Sequence, residues 1–554
     1  MKKLLLTLLV LLVITTSPVG VFAAPALESG SETAFVILHT NDVHGYYQDT
    51  DGAIGHDVLA AYRDSLDAPT ILLSAGDMIQ GIYFVNQGKG EAAVDIMNAA
   101  GYDAMTVGNH EFDYGAGRLA ELAEEASFPF LSQVDGMEHG AILNAGGYTV
   151  GVFGVTTPYT KFSSIGALGM DFGTADDILA YTENMVQALH NEGAEFIIAL
   201  THLGTDDNSS LGVDYGTAYA LREVDGIDLI VDGHSHTALA EIIQDGTPIV
   251  STGAEMTAFG QVEVGASLEI TGYKSITKED LGNVTPDPSV TAVINKWADN
   301  VARAGAEVVS STDTAVFVER VNERTKETVM GNLVADAMRW AADAEIALEN
   351  GGAIRAGFDE GDITVGEVNA ALPFSNYLCK TKLKGSVVKE ALEVSVSSYP
   401  EPRGGFLQVA GLTFAFDPAK PVGERVVSVS VGGEPLDPDQ EYTVVTNDFD
   451  AAGGDEYTML KEPFLADPLT NDRGISAVAD AVTEYLNSGS AKIGLDGRIE
   501  VYYELPPLET AESTRTAAIY IIFAVIALLL AVAVVVVIMK RRSGKNDGDE
   551  QSKE

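Results

Sequence analysis

Short apolar runs that alternate with helical stretches restrict the fold of the first half of the chain most strongly. The runs are rich in β-branched residues and bounded by Gly, Asp or Asn, a pattern typical of buried strands. They are Phe35–Leu38, Ile71–Leu73, Tyr148–Val155, Phe196–Leu200 and Leu229–Val231. Between them, Glu91–Ala100 places its apolar residues on one helical face, and Gly101 can end that helix. Strands alternating with helices predict an α/β domain.

Five apolar runs in this region are each followed by Asp, Asn or His beside Gly. They are the runs above except Tyr148–Val155, together with Ala104–Val107. The segments that follow them are His39–His44, Ser74–Asp77, Gly108–Asp113, Thr201–Gly204 and Asp232–His236. Ligand sites in open α/β sheets form at the carboxyl ends of strands, so we expect these distant residues to converge. On an extended strand, the outer residues of Asp42-x-His44 would point the same way, as would those of His234-x-His236.

The side chains in these segments have the chemistry of metal ligands. Carboxylate, amide oxygen and imidazole suit zinc, manganese or iron. The one cysteine, Cys379, lies outside this region, which excludes a structural zinc cage of thiolates here and internal disulfides anywhere in the chain. A single Asp-x-His or Asn-His pair is more often an ordinary structural element. The prediction of a metal site therefore depends on the five segments occurring together, each after an apolar run.

The order of these segments resembles the five-block pattern of calcineurin-like metallophosphoesterases. The blocks are Asp42-x-His44, Gly76-Asp77, Gly108–Glu111, His202 and Gly233–His236. The longer stretches Leu38–Gly45 and Val107–Asp113 resemble the 5′-nucleotidase family, which includes UDP-sugar hydrolases and 2′,3′-cyclic phosphodiesterases. The resemblance implies an N-terminal calcineurin-like β-sandwich flanked by helices, followed by a second α/β domain.

The resemblance also implies two divalent metal ions, such as zinc, manganese or cobalt, that act on a phosphate ester and the attacking water. Asp77 would bridge the two ions. The remaining ligands would be Asp42, His44 and His236 for one ion, and Asn109, His202 and His234 for the other. His110, oriented by Asp113, would be the catalytic group that stabilises charge on the phosphoryl oxygens.

The likeness to the family continues in the second half of the chain. The matching blocks are Met330–Ala337, Asn350–Arg355, Pro373–Asn376 and Asn447–Asp455. In the family, arginines and an Asn bind phosphate, two Phe rings enclose the base, and an Asp holds the ribose hydroxyls. The substrate-binding residues implied here are Arg324, Asn350, Arg355, Phe374, Phe449 and Asp455. The sequence departs from the family at Ala353 and Glu456, where Gly is usual, and Glu456 adds bulk and charge beside Asp455.

The domain boundary is predicted near residues 280–315. Pro286-Asp287-Pro288 breaks the chain, Ser289 is predicted to cap a helix running through Trp297, and Ser310–Thr312 resembles a loop. The predicted division is a metallophosphoesterase catalytic domain over 34–280, a linker helix over 281–312 and a nucleotide-binding domain over 313–504. Metals on one domain and substrate-binding residues on the other imply a cleft between them, with the linker as candidate hinge.

The two ends of the chain resemble targeting and membrane segments. Residues 1–23 carry a basic start, an apolar stretch and a small-residue cleavage site, as secretory signal peptides do, with an uncleaved anchor as the alternative. Ala517–Met539 lacks charged residues and spans roughly 34 Å as a helix, enough to cross a bilayer. Basic Lys540–Arg542 predicts a cytoplasmic tail over 540–554. With a stalk at 505–516, the catalytic domains would lie outside the cell on a single-pass membrane anchor.

The formal net charge of −48 argues against a nucleic-acid polymer as partner, although acidity is commonly a matter of solubility or a salty medium. The expected substrate is a nucleotide, with release of phosphate from nucleoside 5′-monophosphates. UDP-sugar or 2′,3′-cyclic-nucleotide hydrolysis at the same site is an alternative, and a non-catalytic surface nucleotide-binding protein is another. Sulfur-oxidising thiosulfohydrolases share the implied fold, but two Phe residues favour a planar base.

Overall fold

The computed structural model describes residues 33–502, except 168, 206–216, 242–245, 375, 467–468, 470–472, 474 and 476. The predicted signal peptide at 1–23 and the predicted stalk, transmembrane helix and tail at 505–554 lie outside the described residues. Within the described residues, no helix combines the length and the apolar character needed to cross a bilayer.

Two six-stranded sheets form the centre of the first domain. Their strands are β1 Thr33–Thr40, β2 Thr70–Ser74, β3 Ala104–Thr106, β4 Phe130–Leu131, β5 Gly140–Ala145, β6 Tyr148–Thr156, β7 Phe196–His202, β8 Leu229–Val231, β9 Ala238–Glu241, β10 Ile249–Thr252, β11 Ala258–Gly265 and β12 Ile270–Thr277. The strand orders are β12-β11-β1-β2-β3-β4 and β5-β6-β7-β8-β10-β9. All five predicted strands are confirmed, since each lies within β1, β2, β6, β7 or β8.

The sheets pack face to face, and their pairing brings the predicted motifs to one edge. Side chains of β1 and β2, including Phe35 and Ile37, share a buried core with Phe196 and Ile198 of β7. The pairs β1–β2, β2–β3, β6–β7 and β7–β8 are all parallel. Because parallel strands end at the same edge, the segments after β1, β2, β3, β7 and β8 emerge together.

Helices cover the outer faces of both sheets. They are α1 His56–Asp64, α2 Tyr83–Asn86, α3 Glu91–Ala100, α4 Ala116–Glu125, α5 Thr160–Ser163, α6 Ala175–Asn191, α7 Lys278–Leu281 and α8 Pro288–Gly305, with 3-10 turns at His110–Phe112, Ile165–Ala167 and Ala218–Glu223. The predicted bounds of α3 are confirmed, and Gly101 ends it in a left-handed conformation with φ +75°.

The α8 helix confirms the predicted helix near Trp297 but not its cap. Asp287, rather than Ser289, caps it, because the Asp287 carboxylate accepts the N–H groups of Ser289 and Val290 at 2.8 and 3.0 Å. Pro288 is the first helical residue, where its missing N–H costs nothing. Val290 and Trp297 are buried in the core of the first domain. The predicted boundaries 281–312 stay a prediction, with α8 packed as part of that core.

The second domain is also an α/β unit. Its strands are β13 Val308–Thr312, β14 Ile346–Asn350, β15 Gly361–Thr364, β16 Leu378–Lys384, β17 Leu407–Ala410, β18 Leu412–Phe416, β19 Val426–Val431, β20 Glu434–Pro435, β21 Glu441–Asn447 and β22 Ile499–Val501. Its helices are α9 Arg320–Glu323, α10 Val329–Ala342, α11 Val365–Ala371, α12 Gly385–Ser395, α13 Asp448–Ala451, α14 Thr458–Ala466 and α15 Val478–Asn487, with a 3-10 turn at Gly454–Glu456. The sheets are β13-β15, β16-β21-β14-β17 and β20-β19-β18-β22.

The predicted loop at Ser310–Thr312 is wrong. These residues belong to β13, which pairs antiparallel with β15 and satisfies its backbone groups there. A run of Ser and Thr has no apolar alternation to indicate a strand, so only the partner strand reveals it. The α/β class predicted for both domains is confirmed.

Candidate functional site

The segments after the strands of the two sheets meet in a compact cluster of donor atoms. Asp42, His44, Asp77 and His236 each contribute one nitrogen or oxygen, and these atoms all lie within 4.8 Å of one another. The Nε2 atoms of His44 and His236 are 3.0 Å apart. His236 Nε2 lies 3.6 Å from Asp42 Oδ1. This cluster contains the four residues predicted to hold one metal ion.

A second group of donors adjoins the first. Asn109 Oδ1 lies 2.9 Å from His234 Nδ1 and 3.2 Å from His202 Nε2. Asp77 Oδ2 is 3.1 Å from His202 Nε2 and 3.8 Å from His44 Nε2, so it faces both groups. The structure therefore brings all seven predicted ligands together, with Asp77 between the two sets.

The backbone at these residues differs from the extended conformation that the sequence pattern suggests. Asp42, His44, Asp77, His234 and His236 all have positive φ, between 48° and 79°. The expectation of extended Asp-x-His and His-x-His pairs is wrong, because β1 ends at Thr40 and β8 ends at Val231. Left-handed conformations cost about 1–3 kcal/mol for residues other than Gly and concentrate at functional sites. Their occurrence at five predicted ligands indicates loops shaped for binding.

Glu111 ties two of these loops together. Its carboxylate accepts four backbone N–H groups, from Asp77 at 2.9 Å, Met78 at 2.6 Å, Ile79 at 3.2 Å and Gly108 at 2.6 Å. Removal of the Glu111 carboxylate would leave these backbone N–H groups without their acceptor in a fully buried site. Glu111 was not predicted as a site residue, although it lies inside the motif Gly108–Asp113.

Hydrogen bonds also orient individual ligands. Asn41 donates to Asp42 Oδ2 and to the Gly253 carbonyl, both at 2.7 Å, which fixes the Asp42 carboxylate. His202 Nδ1 lies 2.6 Å from the Ala75 carbonyl, which only accepts, so Nδ1 carries the proton. Its Nε2 faces Asp77 and Asn109. A Cβ at Gly233 would lie 2.7 Å from the Ala75 oxygen and 2.9 Å from His202 Nδ1, so this approach requires Gly.

The electrostatics of the cluster favour bound cations. Burial lowers the pKa of His44 and of His234 to about 3, which leaves both imidazoles neutral with free lone pairs. Burial also opposes a charged His202, yet the carboxylates of Asp77 and Asp42 raise its pKa to about 10. The buried carboxylates thus stabilise positive charge next to the neutral imidazole nitrogens of His44 and His234. Oxygen and nitrogen donors without sulfur fit borderline divalent cations such as zinc or manganese.

His110 lies at the rim of the cluster, in the 3-10 turn after β3. Its Nδ1 is 2.6 Å from Asp113 Oδ2, and its backbone N–H donates to Asp77 Oδ1 at 3.0 Å. Burial works against a charged ring, but Asp113, Asp77 and Asp448 together raise the pKa of His110 to about 10. The side chain is 22% exposed. A protonated imidazole, held by Asp113 at the open side of the cluster, can stabilise negative charge on a ligand there.

The predicted phosphate-binding residues of the second domain also lie close together. Burial and the neighbouring guanidinium groups of Arg320 and Arg355 lower the pKa of Arg324, while Asp455 opposes this. Asn350 donates to Asp455 Oδ2 at 3.4 Å. Arg320 was not predicted as a site residue; it begins α9, and Arg324 follows directly after that helix.

Phe374 and Phe449 present half-exposed rings near these groups. They are 47% and 48% exposed, unlike the buried Phe side chains of the cores. The guanidinium of Arg355 lies 4.8 Å above the Phe374 ring. The Phe449 ring packs against Gly454, where a Cβ would approach it to 2.6 Å. Exposed aromatic faces beside arginines suit a ligand with a planar ring and a phosphate.

Tyr377 joins the two regions. Its ring stacks on His110 with centroids 6.4 Å apart, and its hydroxyl hydrogen-bonds with Gln80 and Tyr114 of the first domain. Asp448, next to Phe449, also helps to raise the pKa of His110. The chain next to each of the two Phe residues therefore lies beside the His110–Asp113 pair. No sequence motif pointed to Tyr377, because its role arises only from contact between domains.

A cavity of about 710 Å³ lies between the two domains next to this contact. Tyr83, Lys89 and Tyr114 line it from the first domain, and Phe374 and Tyr377 line it from the second. Its position leaves space for a ligand where residues of both domains meet.

Comparison with known proteins identifies both domains. A family model described as calcineurin-like phosphoesterase matches residues 35–238, and a model described as 5′-nucleotidase, C-terminal domain, matches residues 307–462. The chain is 30% identical to 5′-nucleotidase of Homo sapiens over 517 residues, which covers 81% of this chain and 88% of that protein. It is 33% identical to the trifunctional nucleotide phosphoesterase protein YfkN of Bacillus subtilis over 487 residues. That match covers 77% of this chain but only 32% of YfkN.

Solved structures agree with this assignment. The 5′-nucleotidase precursor of Thermus thermophilus is 32% identical, covers 85% of this chain and all of that chain, and superposes with a TM-score of 0.53. A 5′-nucleotidase from Staphylococcus aureus shares the fold, with a TM-score of 0.64 at 21% identity over 84% of this chain and 99% of that one. The chain therefore belongs to the 5′-nucleotidase family of calcineurin-like metallophosphoesterases and is a metal-dependent phosphoric ester hydrolase of that type.

Proposed function

We propose that this enzyme releases phosphate from nucleoside 5′-monophosphates and related nucleotides outside the cell, using two divalent metal ions. The observation that carries the proposal is the convergence of seven nitrogen and oxygen donors beside His110, within contact of the domain that presents Arg and Phe side chains. The names of the human and Thermus relatives, both 5′-nucleotidases, support the same substrate class.

The proposed metal-binding residues divide around Asp77. Asp42, His44 and His236 would hold one ion, and Asn109, His202 and His234 the other, with Asp77 shared between them. When bound, such a pair of cations polarises the phosphoryl oxygens and activates the water that attacks phosphorus. The left-handed loops, the Glu111 carboxylate and the His202–Ala75 bond hold the donor atoms in place before the ions bind.

The other residues act on the substrate. His110, kept protonated by Asp113, would donate a hydrogen bond to the phosphoryl oxygens as negative charge develops on them. Arg324, Arg355 and Asn350 would bind phosphate. Phe374 and Phe449 would stack on the two faces of the base, and Asp455 would accept the ribose hydroxyls.

The experiment uses the purified full chain in detergent, stripped of metal and resupplied with Mn²⁺, Co²⁺ or Zn²⁺. We expect phosphate release from AMP that requires metal. Asp77→Asn should reduce kcat by at least about 10³-fold and lower the metal content, because Asp77 serves both ions. Asp299→Asn, at an exposed position in α8, is the matched control and should behave as the wild type. Fully metallated protein that binds AMP without releasing phosphate would support the non-catalytic nucleotide-binding alternative instead.

UDP-sugar or 2′,3′-cyclic-nucleotide hydrolysis is the second candidate, favoured by the trifunctional name of YfkN. UDP-glucose and 2′,3′-cyclic AMP belong in the same assay, because the donor cluster does not distinguish phosphate monoesters from diesters. A kcat/KM for either substrate that exceeds the value for AMP would move the assignment to that activity.

The membrane location is proposed from the sequence pattern at the chain ends. Residues 1–23 would direct export, and Ala517–Met539 would anchor the protein with both catalytic domains outside. Intact cells that produce the chain should hydrolyse added AMP, and the activity should sediment with membranes. Activity that appears only after lysis would contradict this location.

A further inference from the structure

The turn that carries Asp455 has an unusual backbone and an arginine that holds it. Asp455 and Glu456 are consecutive residues with positive φ, 49° and 70°. Short polar Asp tolerates this region, whereas Glu does so poorly, and Gly adopts it freely. A turn with Glu at this position therefore needs contacts from elsewhere to keep its shape.

Arg403 supplies those contacts. Its Nη2 donates to the backbone carbonyl of Asp455 and lies 3.1 Å from Glu456 Oε2. Its Nη1 donates to Ser397 Oγ at 2.7 Å and to the Val394 carbonyl at 3.3 Å, which anchors the guanidinium to the end of α12. The Arg403 side chain is 15% exposed, while Glu456 is 82% exposed. Arg403 is thus the more buried partner of the ion pair, and hydrogen bonds hold both its Nη1 and its Nη2 atoms.

The backbone around Arg403 also contacts the other proposed substrate-binding segments. The Arg403 N–H donates to the Arg324 carbonyl at 3.3 Å, and the Gly352 N–H donates to the Gly404 carbonyl at 2.8 Å. A Cβ at Gly405 would lie 2.8 Å from the Cβ of Asp455. Residues 403–405 therefore touch the segments of Arg324, Asn350 and Asp455 together.

We propose that Arg403 is a positioning residue that holds Asp455 for the ribose hydroxyls, and so determines the preference for nucleotides with an intact ribose. The inference rests on the proposed function, in which Asp455 contacts the ribose. Glu456 takes part as the residue that makes Arg403 necessary, because Gly at this position would adopt the turn without help. Glu456 itself points towards Arg403 and solvent, and the Asp455 carboxylate remains with Asn350.

The test compares AMP with 2′,3′-dideoxy-AMP, which lacks the ribose hydroxyls, in the metallated full chain. Arg403→Met should raise KM for AMP by about 10-fold with kcat little changed. The displaced Asp455 carboxylate would lose its hydrogen bonds with the ribose hydroxyls when AMP binds. KM for the dideoxy substrate should change less than about 2-fold. Arg403→Met combined with Glu456→Gly should recover most of the AMP affinity, since Gly restores the turn. Lys274→Met is the control, because it removes one positive charge from an exposed ion pair in the first domain.

Equal loss for both substrates, or no recovery in the double variant, would overturn the positioning role. A second readout does not depend on turnover. Amide hydrogen exchange of residues 453–457 should be faster in Arg403→Met and return towards the wild-type rate in the double variant. Unchanged exchange in Arg403→Met would also overturn the proposal. A wild-type enzyme that leaves AMP intact would remove the proposed function, while faster exchange in Arg403→Met would still establish that Arg403 holds the turn.

Discussion

The donor cluster of the first domain and the substrate-binding surface of the second domain are built in opposite ways. In the cluster, Asp42, Asp77 and His202 are buried, and hydrogen bonds fix their orientations. On the second domain, Phe374 and Phe449 are about half exposed and present their rings to solvent. This contrast indicates that the reaction chemistry is organised in advance, whereas the surface that selects the substrate is completed by the ligand.

Buried acids make the same contrast sharper. Asp42 and Asp77 face imidazoles and backbone N–H groups, a setting that a cation completes. In the second domain, Glu349 Oε1 and both carboxylate oxygens of Asp450 have no hydrogen-bond partner among the described residues. Burial raises the pKa of Glu349 to about 8 and that of Asp450 well above its usual range. The neighbouring His202 and His110 outweigh burial and hold the pKa of Asp77 well below its usual range. Asp77 is thus ionised beside the metal donors, whereas Glu349 and Asp450 retain their protons in the second domain.

The largest effect that tests this contrast is expected at His110. His110→Asn should lower kcat for AMP by about 10²–10³-fold, because a charged donor to the transition state is removed. KM and the number of metal ions per chain should stay within about 2-fold of the wild type, since the ring is not one of the seven donors. Steady-state kinetics and elemental analysis of the same preparation measure both quantities.

His190→Asn is the control, since His190 is an exposed residue of α6. Loss of metal from His110→Asn would show that His110 also supports metal binding. An unchanged kcat would remove His110 from the chemistry.

The next largest effect concerns the exposed rings. Phe374→Ala should raise KM for AMP by about 10-fold with little change in kcat, because stacking contributes about 1–3 kcal/mol per base. KM for ribose 5-phosphate, which has no base, should barely change. Phe317→Ala is the matched control, as Phe317 is 82% exposed and was not predicted as a site residue. A similar loss for both substrates would mean that Phe374 supports the fold rather than the base.

The sequence predicted the donors better than the geometry that holds them. The seven donors come from short motifs at strand ends, and strands buried on both faces are easy to recognise from β-branched runs. The left-handed turns at Asp42 and His234 could not be predicted, because tertiary bonds such as His234 N–H to Asp42 stabilise them. Tyr377 and Arg403 gave no signal, since each acts through a contact between segments far apart in the chain.

A smaller effect is expected on stability at Glu349. The folded chain keeps the Glu349 proton up to about pH 8, whereas the unfolded chain releases it near 4.5, so stability falls as the pH rises between these values. Glu349→Gln removes this loss, so its free energy of unfolding should exceed that of the wild type by at least about 1 kcal/mol at pH 8, with little gain at pH 4. Thermal denaturation midpoints at both pH values measure the difference.

Glu390→Gln, an exposed position in α12, controls for the removed charge and should show no such pH dependence. A Glu349→Gln variant less stable than the wild type at pH 8 would mean that the carboxylate is ionised in the folded protein. The buried acids of the two domains would then not differ in protonation.

The smallest expected effect comes from competition between the net charge of the whole chain and the local charge of the substrate-binding surface. The net charge of −48 should slow the approach of an anionic substrate at low ionic strength, while Arg320, Arg324 and Arg355 attract it over a short range. We expect kcat/KM for AMP to rise by less than about 2-fold from about 10 to 150 mM salt, as screening weakens the long-range repulsion first. The inhibition constant of uncharged adenosine, measured across the same range, separates this effect from changes in the protein. A steep fall in kcat/KM with unchanged adenosine binding would show that the local arginines outweigh the global charge.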